Sequence, residues 1–154
     1  MRLKEQLMRL RVAVGLGALA VLGLLTAAPA WAHHSFAAEF DANRPVRVQG
    51  TLTRVEWTNP HSWWHIAVKK PDGTVEQWMF EGGGPASLTR RGFKRDSIPL
   101  GTELVVDGYM AKGAPRRANA RELTYPNGEK LFVGSSGTGA PYDTDPRAKD
   151  PTAR

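Results

Sequence analysis

The sequence contains no cysteine. No disulfide can therefore cross-link the chain, and no thiolate is available as a nucleophile, a redox couple or a metal ligand. The same absence excludes the modified cysteine by which bacterial lipoproteins are anchored. A metal-binding or redox function would have to rest on other side chains.

The motifs of several enzyme classes are missing as well. The glycines at positions 82–84 lack the Gly-Lys-Ser/Thr ending of a phosphate-binding loop, so nucleotide binding has little support. The sequence has no Gly-x-Ser-x-Gly elbow and no paired-carboxylate arrangement, which disfavours hydrolase chemistry. Because no catalytic set is assembled, we expect a protein that binds rather than an enzyme.

The excess of positive charge is small once the first 32 residues are set aside. The 21 basic and 15 acidic residues include four basic residues and one acidic residue in that segment. Of the 154 residues, 122 then remain, with a net charge of +3. This length suits one small domain, and this charge gives little support to a nucleic-acid partner.

The first 32 residues have the pattern of a bacterial export signal. A basic start leads into an apolar run from Val12 to Leu25 and then into Ala30-Trp31-Ala32, the A-x-A pattern that signal peptidase accepts. Cleavage there predicts a periplasmic or secreted protein that begins at His33 and keeps no stable membrane anchor. The alternatives are cleavage at Ala28-Pro29-Ala30 and retention of the apolar run as an anchor.

The sequence after residue 32 predicts one β domain over residues 33–136, which includes an N-terminal arm, and a disordered tail over residues 137–154. The arm is expected to pack through Phe36 and Phe40. Glycine, serine, threonine, proline and aspartate dominate the tail, which is typical of disorder. Alternating apolar residues predict strands at 46–57, 62–69, 74–80, 102–110, 118–125 and 129–133.

Local signals refine this order of elements. The apolar pattern changes phase near Leu52 to Arg54, which indicates a bulge or a bend in the first strand. Three consecutive glycines predict a flexible loop after the third strand, and Pro85 predicts the start of a short helix. Three strands, a helix and two or three further strands is the element order of the OB-fold. We therefore predict a mainly β, OB-like Greek-key barrel of five to six strands with one short helix, with a β-sandwich as the alternative.

Three segments resemble a family of small exported bacterial proteins known only as a domain of unknown function: His33-His34-Ser35-Phe36, Glu56-Trp57-Thr58-Asn59-Pro60-His61 and Gly108-Tyr109. The resemblance covers roughly His33 to Ser136 and implies export and a compact β domain, but no activity. In size, predicted compartment and element order the chain is also loosely similar to small periplasmic OB-fold copper-binding proteins. It departs from their ligand spacing.

All four histidines follow the predicted signal, as the pairs His33–His34 and His61–His65. An amino-terminal histidine offers its α-amine and a ring nitrogen to one copper ion, and a third nitrogen from the second pair would complete a T-shaped site. In a regular strand His61 and His65 lie about 13 Å apart, so one ion binds only one of them. We favour His61, because Asn59-Pro60 places it at the mouth of a loop.

The alternative interpretation is that the histidines are ordinary surface or hydrogen-bonding residues and bind no metal. Zinc is less favoured than copper, because cysteine and tight His-x-His spacing are absent. Without metal, the protein would bind an envelope protein or a small ligand through Trp57, Trp63 and the basic residues at 90–95. Trp64 and Trp78 are predicted to fill the core.

Overall fold

The computed structural model describes residues 35–148. The predicted signal segment, His33, His34 and the last six residues lie outside this range. No helix within residues 35–148 is long and apolar enough to cross a membrane. In chain order the elements are α1 (Phe36–Glu39), β1 (Phe40–Trp57), β2 (Ser62–Lys69), β3 (Val75–Glu81), α2 (Pro85–Arg90), β4 (Glu103–Ala111), β5 (Arg117–Thr124), β6 (Lys130–Phe132) and a 3₁₀ turn (Pro146–Ala148).

Strand β1 is long because its apolar pattern continues through a change of phase. The pairing of β1 with β2 shifts register between Leu52 and Arg54, where the sequence predicts a bulge. A bulge adds one residue to one strand and bends it. The first part of β1 therefore pairs with β4 up to Thr51, and the part from Thr51 to Trp57 pairs with β2.

The strands pair in the order β3-β2-β1-β4-β5-β6, and a further pairing joins β3 to β5. This last pairing is parallel and matches Met79, Phe80 and Glu81 with Arg117, Ala118 and Asn119. Five strands thus form a ring of pairings, and β6 is added to β5. The prediction of a mainly β domain with six strands and a helix between the third and fourth strands is confirmed. Helix α1 is an additional element that the sequence analysis does not predict.

The main hydrophobic core is built from alternate residues of the five longest strands and from α2. Trp64 is buried in this core, as predicted. Trp78, also predicted for the core, is only half-buried and stacks on Phe80 with ring centroids 5.8 Å apart. Strand β3 pairs with β5 only from Met79 onward, so within residues 35–148 the edge of β3 beside Trp78 has no partner strand. The largest fully buried apolar side chains are Phe80, Leu52, Ile66, Leu88, Leu104, Leu123, Val106 and Val133.

A second apolar cluster joins the N-terminal arm to the C-terminal segment. The ring of Phe36 lies 5.5 Å from the ring of Phe40 and 6.3 Å from that of Tyr142, which is only 4% exposed. The Tyr142 hydroxyl donates a hydrogen bond to Asn119. Ala140 and Ala148 are buried in the same cluster. The prediction of a disordered tail is therefore wrong for residues 137–148, because a few apolar side chains find a complementary surface on the arm and the sheet.

Arg147 attaches the end of this segment to strand β5. Its guanidinium donates to Glu122 of β5 at 2.7 Å and to Asp145 at 2.7 Å. The same group lies over the ring of Phe132, 5.5 Å from its centroid. One side chain thus combines charge-assisted hydrogen bonds to two carboxylates with a cation–π contact.

Replacing Tyr142 with alanine should lower the free energy of unfolding by about 3 kcal/mol, because a buried ring and its hydrogen bond are lost. Thr144→Ala removes an exposed side chain from the same segment and should change this free energy by less than about 0.5 kcal/mol. Urea unfolding of both variants measures the difference. Equal stabilities would show that the segment is not packed in solution.

The hydrogen bonds from Arg147 lower the pKa of Asp145 from 3.8 to about 2. Because the folded-state pKa is depressed, the carboxylate stabilises the fold above its ordinary pKa, and this contribution is lost as the pH falls towards 2. Asp145→Asn should therefore have a lower Tm than the parent protein at pH 6, and the difference should vanish near pH 2. Calorimetry across this pH range provides the measurement, and a pH-independent difference would contradict the assignment.

Candidate functional site

The structure describes two of the four histidines predicted as metal ligands. His61 immediately precedes β2 and follows a cis Asn59–Pro60 bond, and His65 lies within β2. His33 and His34 lie outside the described residues. Within residues 35–148, no three histidine or carboxylate side chains are grouped so that they could hold a metal ion. A metal site with three such ligands would therefore need residues outside 35–148.

His61 has one ring nitrogen tied to the end of β3. Its Nδ1 lies 3.2 Å from the carbonyl oxygen of Gly82 and 3.6 Å from Oε1 of Glu81. Since both neighbours accept hydrogen bonds, we assign the proton of the neutral ring to Nδ1, which leaves Nε2 unprotonated. This is the arrangement by which proteins commonly orient a histidine that binds a ligand through its other nitrogen.

The backbone that receives this hydrogen bond is firmly held. A Cβ atom at Gly82 would lie 2.3 Å from the ring of Trp64 and 2.7 Å from the carbonyl oxygen of Val133, so only glycine fits. The N–H groups of Gly82 and Gly83 donate to the carbonyls of Ser62 and Val133 at 2.9 and 2.8 Å. The flexible loop predicted from the three glycines is therefore a buried, hydrogen-bonded segment.

His61 lines a cavity of about 460 Å³, which we call the histidine cavity. Thr138 lines the same cavity, and its carbonyl oxygen accepts a hydrogen bond from the N–H of Phe36 at 2.8 Å. The start of the arm is thus fixed at the wall of the cavity that contains His61. The remaining lining residues are Asn59, Pro60, Gly83, Gly84, Ala86, Ser87, Arg90, Ser135 and Ser136.

A network of charged side chains lies behind His61. The guanidinium of Arg117 is 3.4 Å from Oε2 of Glu81 and 2.9 Å from Oε2 of Glu39. It also lies over the ring of Trp63, 4.8 Å from the centroid. Because Glu39 ends α1 and Arg117 begins β5, the network connects the N-terminal arm to the residue that contacts His61.

Glu81 is the buried member of this network, with an exposed fraction of 6%. Burial raises the pKa of its carboxyl group, the nearby His61 and Arg117 oppose this shift, and the negative charge of Glu39 adds to it. A buried carboxylate is costly without a partner, so Arg117 is needed to keep Glu81 in place behind His61.

His65 belongs to a different group of polar side chains. Its Nε2 lies 2.7 Å from Oε1 of Glu56, and the same oxygen is 2.8 Å from the guanidinium of Arg54. His61 contacts the end of β3, whereas His65 contacts β1. The two histidines therefore have different carboxylate partners on different strands.

The two tryptophans predicted as a binding surface are both partly buried. Trp57 packs against the main core, and Arg117 covers the ring of Trp63. Each indole thus already makes a contact within the chain, and neither is a fully open aromatic surface.

Sequence reasoning did not identify Glu81, Arg117 or Thr138 as parts of this site. Glu81 and Arg117 meet because β3 and β5 pair in parallel, and no local pattern reveals such a pairing. One signal was available: an acidic residue closes the apolar end of β3 directly before the glycines. A charged residue in that position indicates a buried ion pair or a functional contact.

A comparison with known protein families identifies a match. Residues 21–119 match the family of unknown function DUF6152. The match includes β1 to β4 and all four histidines, in agreement with the resemblance noted from the sequence. A comparison with curated proteins gives no match.

Replacing Arg117 with alanine should lower the free energy of unfolding by about 2 kcal/mol, because buried Glu81 then lacks its cationic partner. Adding Glu81→Gln to this variant should restore part of the loss. Arg47→Ala, which breaks an exposed ion pair with Asp107, should cost less than about 1 kcal/mol. Urea unfolding of these variants checks the ranking. A double variant no more stable than Arg117→Ala alone would contradict this role for Arg117.

Proposed function

The chain belongs to DUF6152, a family of unknown function, and we propose that it is an exported protein that binds one copper ion. The proposed ligands are the α-amine and ring of His33, with His34 adjacent, and Nε2 of His61. The observation that carries the proposal is the hydrogen bond between Phe36 and Thr138, because it fixes the arm at the cavity that His61 lines.

The length of the arm supports this arrangement. His33 lies three residues before Phe36, and three extended residues span at most about 10 Å. A chain that starts at His33 and is attached at Thr138 therefore has its first residues within reach of the histidine cavity. Under the same proposal, cleavage at Ala28-Pro29-Ala30 would place the α-amine too far along the chain to join the site.

The environment of His61 supports a role as ligand. Glu81 and Gly82 lie next to Nδ1, and Arg117 holds Glu81; these neighbours are consistent with the assigned tautomer and fix the orientation of the ring. Such outer contacts raise the affinity of a metal-binding histidine. His65 already contacts Glu56 through Nε2, and we therefore assign it no direct role.

Copper is the metal that this set of donors favours. An amine and imidazole rings are nitrogen ligands, for which copper(II) has the highest affinity among the divalent first-row metals. The proposed role is storage, delivery or protection rather than catalysis, because one small domain leaves little surface for a substrate beside the metal.

The test begins with the untagged protein purified from the periplasm, whose intact mass identifies its first residue. Copper(II) is then titrated in the presence of a chelator of known affinity. We expect a mass that begins at His33 and one copper ion per chain. His61→Ala should weaken binding at least about tenfold, which corresponds to about 1.4 kcal/mol. His65→Ala is the matched control and should bind copper like the parent protein.

A second variant tests the α-amine alone. One alanine inserted before His33 keeps all four imidazoles but moves the amine away from the first histidine ring, and it should weaken copper binding by a similar factor. Binding no tighter than about micromolar in the parent protein would overturn the proposal. Equal affinities for the parent protein and the His61→Ala variant would do the same.

A further inference from the structure

A second cavity, distinct from the histidine cavity, lies on the surface beside β1. It is an open groove of about 750 Å³ between β1 and the segment that follows α2. Thr53, Arg54 and Val55 form one wall, and the other is formed by Lys94, Arg95, Asp96, Ile98, Pro99 and Leu100. We call it the β1 groove.

The wall formed by β1 is a strand edge without a partner strand. On the edge of β1 that pairs with β4, the last backbone hydrogen bonds are made by Leu52. Its carbonyl oxygen accepts from the N–H of Gly101 at 2.8 Å, and its N–H donates to the carbonyl oxygen of Thr102 at 2.9 Å. Thr53 lies at the bulge, and from Arg54 to Trp57 β1 pairs with β2 along its other edge only, as far as residues 35–148 are concerned. Alternate backbone N–H and C=O groups of a strand point to opposite edges, so some of these groups face the groove.

The floor of the groove is apolar. Val55 is half-buried there, and Ile98 is buried. Leu100 is 65% exposed, the highest value among the large hydrophobic residues that the structure describes. An exposed leucine beside an apolar floor is typical of a binding surface rather than of an isolated surface residue.

The rim of the groove is positively charged. Arg54, Lys94 and Arg95 line it, and Asp96 is its one acidic residue. Arg54 forms an ion pair with Glu56, whereas no carboxylate within residues 35–148 lies at ion-pair distance from Lys94 or Arg95. The groove therefore complements a negatively charged partner.

From these features we infer that the β1 groove binds an extended acidic segment of another protein, which adds to the sheet along Thr53–Trp57. The strand edge supplies backbone hydrogen bonds, the apolar floor receives alternate apolar side chains, and Lys94 and Arg95 pair with acidic ones. A five-residue edge has the length of an ordinary strand. A lipid would use the apolar floor and the cations but not the backbone edge, so the geometry favours a peptide.

The test is a titration of the metal-free, ¹⁵N-labelled processed protein with the acetylated and amidated pentapeptide Glu-Leu-Glu-Leu-Glu. Binding should shift the amide signals of residues 53–57 and 94–100. Methylating the two leucine nitrogens of the peptide should weaken binding at least fivefold, because those N–H groups can no longer donate to the strand edge. Replacing the three glutamates with lysine should weaken it by a similar factor.

Two variants of the protein test the assigned side chains. The double variant Lys94→Glu with Arg95→Glu and the single variant Leu100→Ser should each weaken binding of the acidic peptide at least fivefold. Arg44→Glu is the matched control, since Arg44 is an exposed cation of β1 outside the groove, and it should leave binding unchanged.

Equal binding of the N-methylated or the basic peptide would overturn the inference, as would signal shifts away from the groove or no peptide binding. Binding to phosphatidylglycerol vesicles but not to the peptide would assign the groove to a lipid instead. Because no metal is present in these experiments, their outcome is independent of the copper proposal.

Discussion

The parallel pairing of β3 with β5 is the interaction on which the rest of the structure depends. Met79 to Glu81 pair with Arg117 to Asn119, and this short contact closes the ring of strands over the core. The same contact places the carboxylate of Glu81 beside the guanidinium of Arg117 and brings Asn119 to the hydroxyl of Tyr142. One pairing thus closes the core, builds the ion pair behind His61 and provides the anchor for the C-terminal segment.

The two ends of the described chain are linked through this framework. Phe36 packs on Tyr142 and donates to the carbonyl of Thr138, and Glu39 pairs with Arg117. The arm is therefore held by apolar contact, by a backbone hydrogen bond and by charge. Because Thr138 also lines the histidine cavity, the packing that fixes the arm determines where the preceding residues enter. Stability and the proposed ligand binding rest on the same contacts.

Much of the fold could be predicted because it follows from local patterns. Alternation and turn residues predicted the strands, and the phase change at Leu52 predicted the bulge that bends β1. The packing of the C-terminal segment could not be predicted from its composition. A single tyrosine and two alanines are enough to pack it, because Phe36 of the arm provides the surface that they contact. His61 could be nominated from the sequence, whereas Glu81 and Arg117 required the β3–β5 pairing. The three glycines indicated flexibility, but the close approach of Trp64 to Gly82 shows that they serve packing instead.

In the proposed copper site, the processed amino terminus and His61 meet at one cavity. Paramagnetic broadening of the ¹⁵N-labelled processed protein by one equivalent of copper(II) is the measurement that decides whether they do, because the metal broadens amide signals near its own position. We expect broadening of residues 33–36 together with 60–62, 83–84 and 135–138, while signals around Glu56 and residues 94–100 stay sharp. Broadening centred on His65 and Glu56, or confined to the first residues without any effect at 60–62, would contradict it.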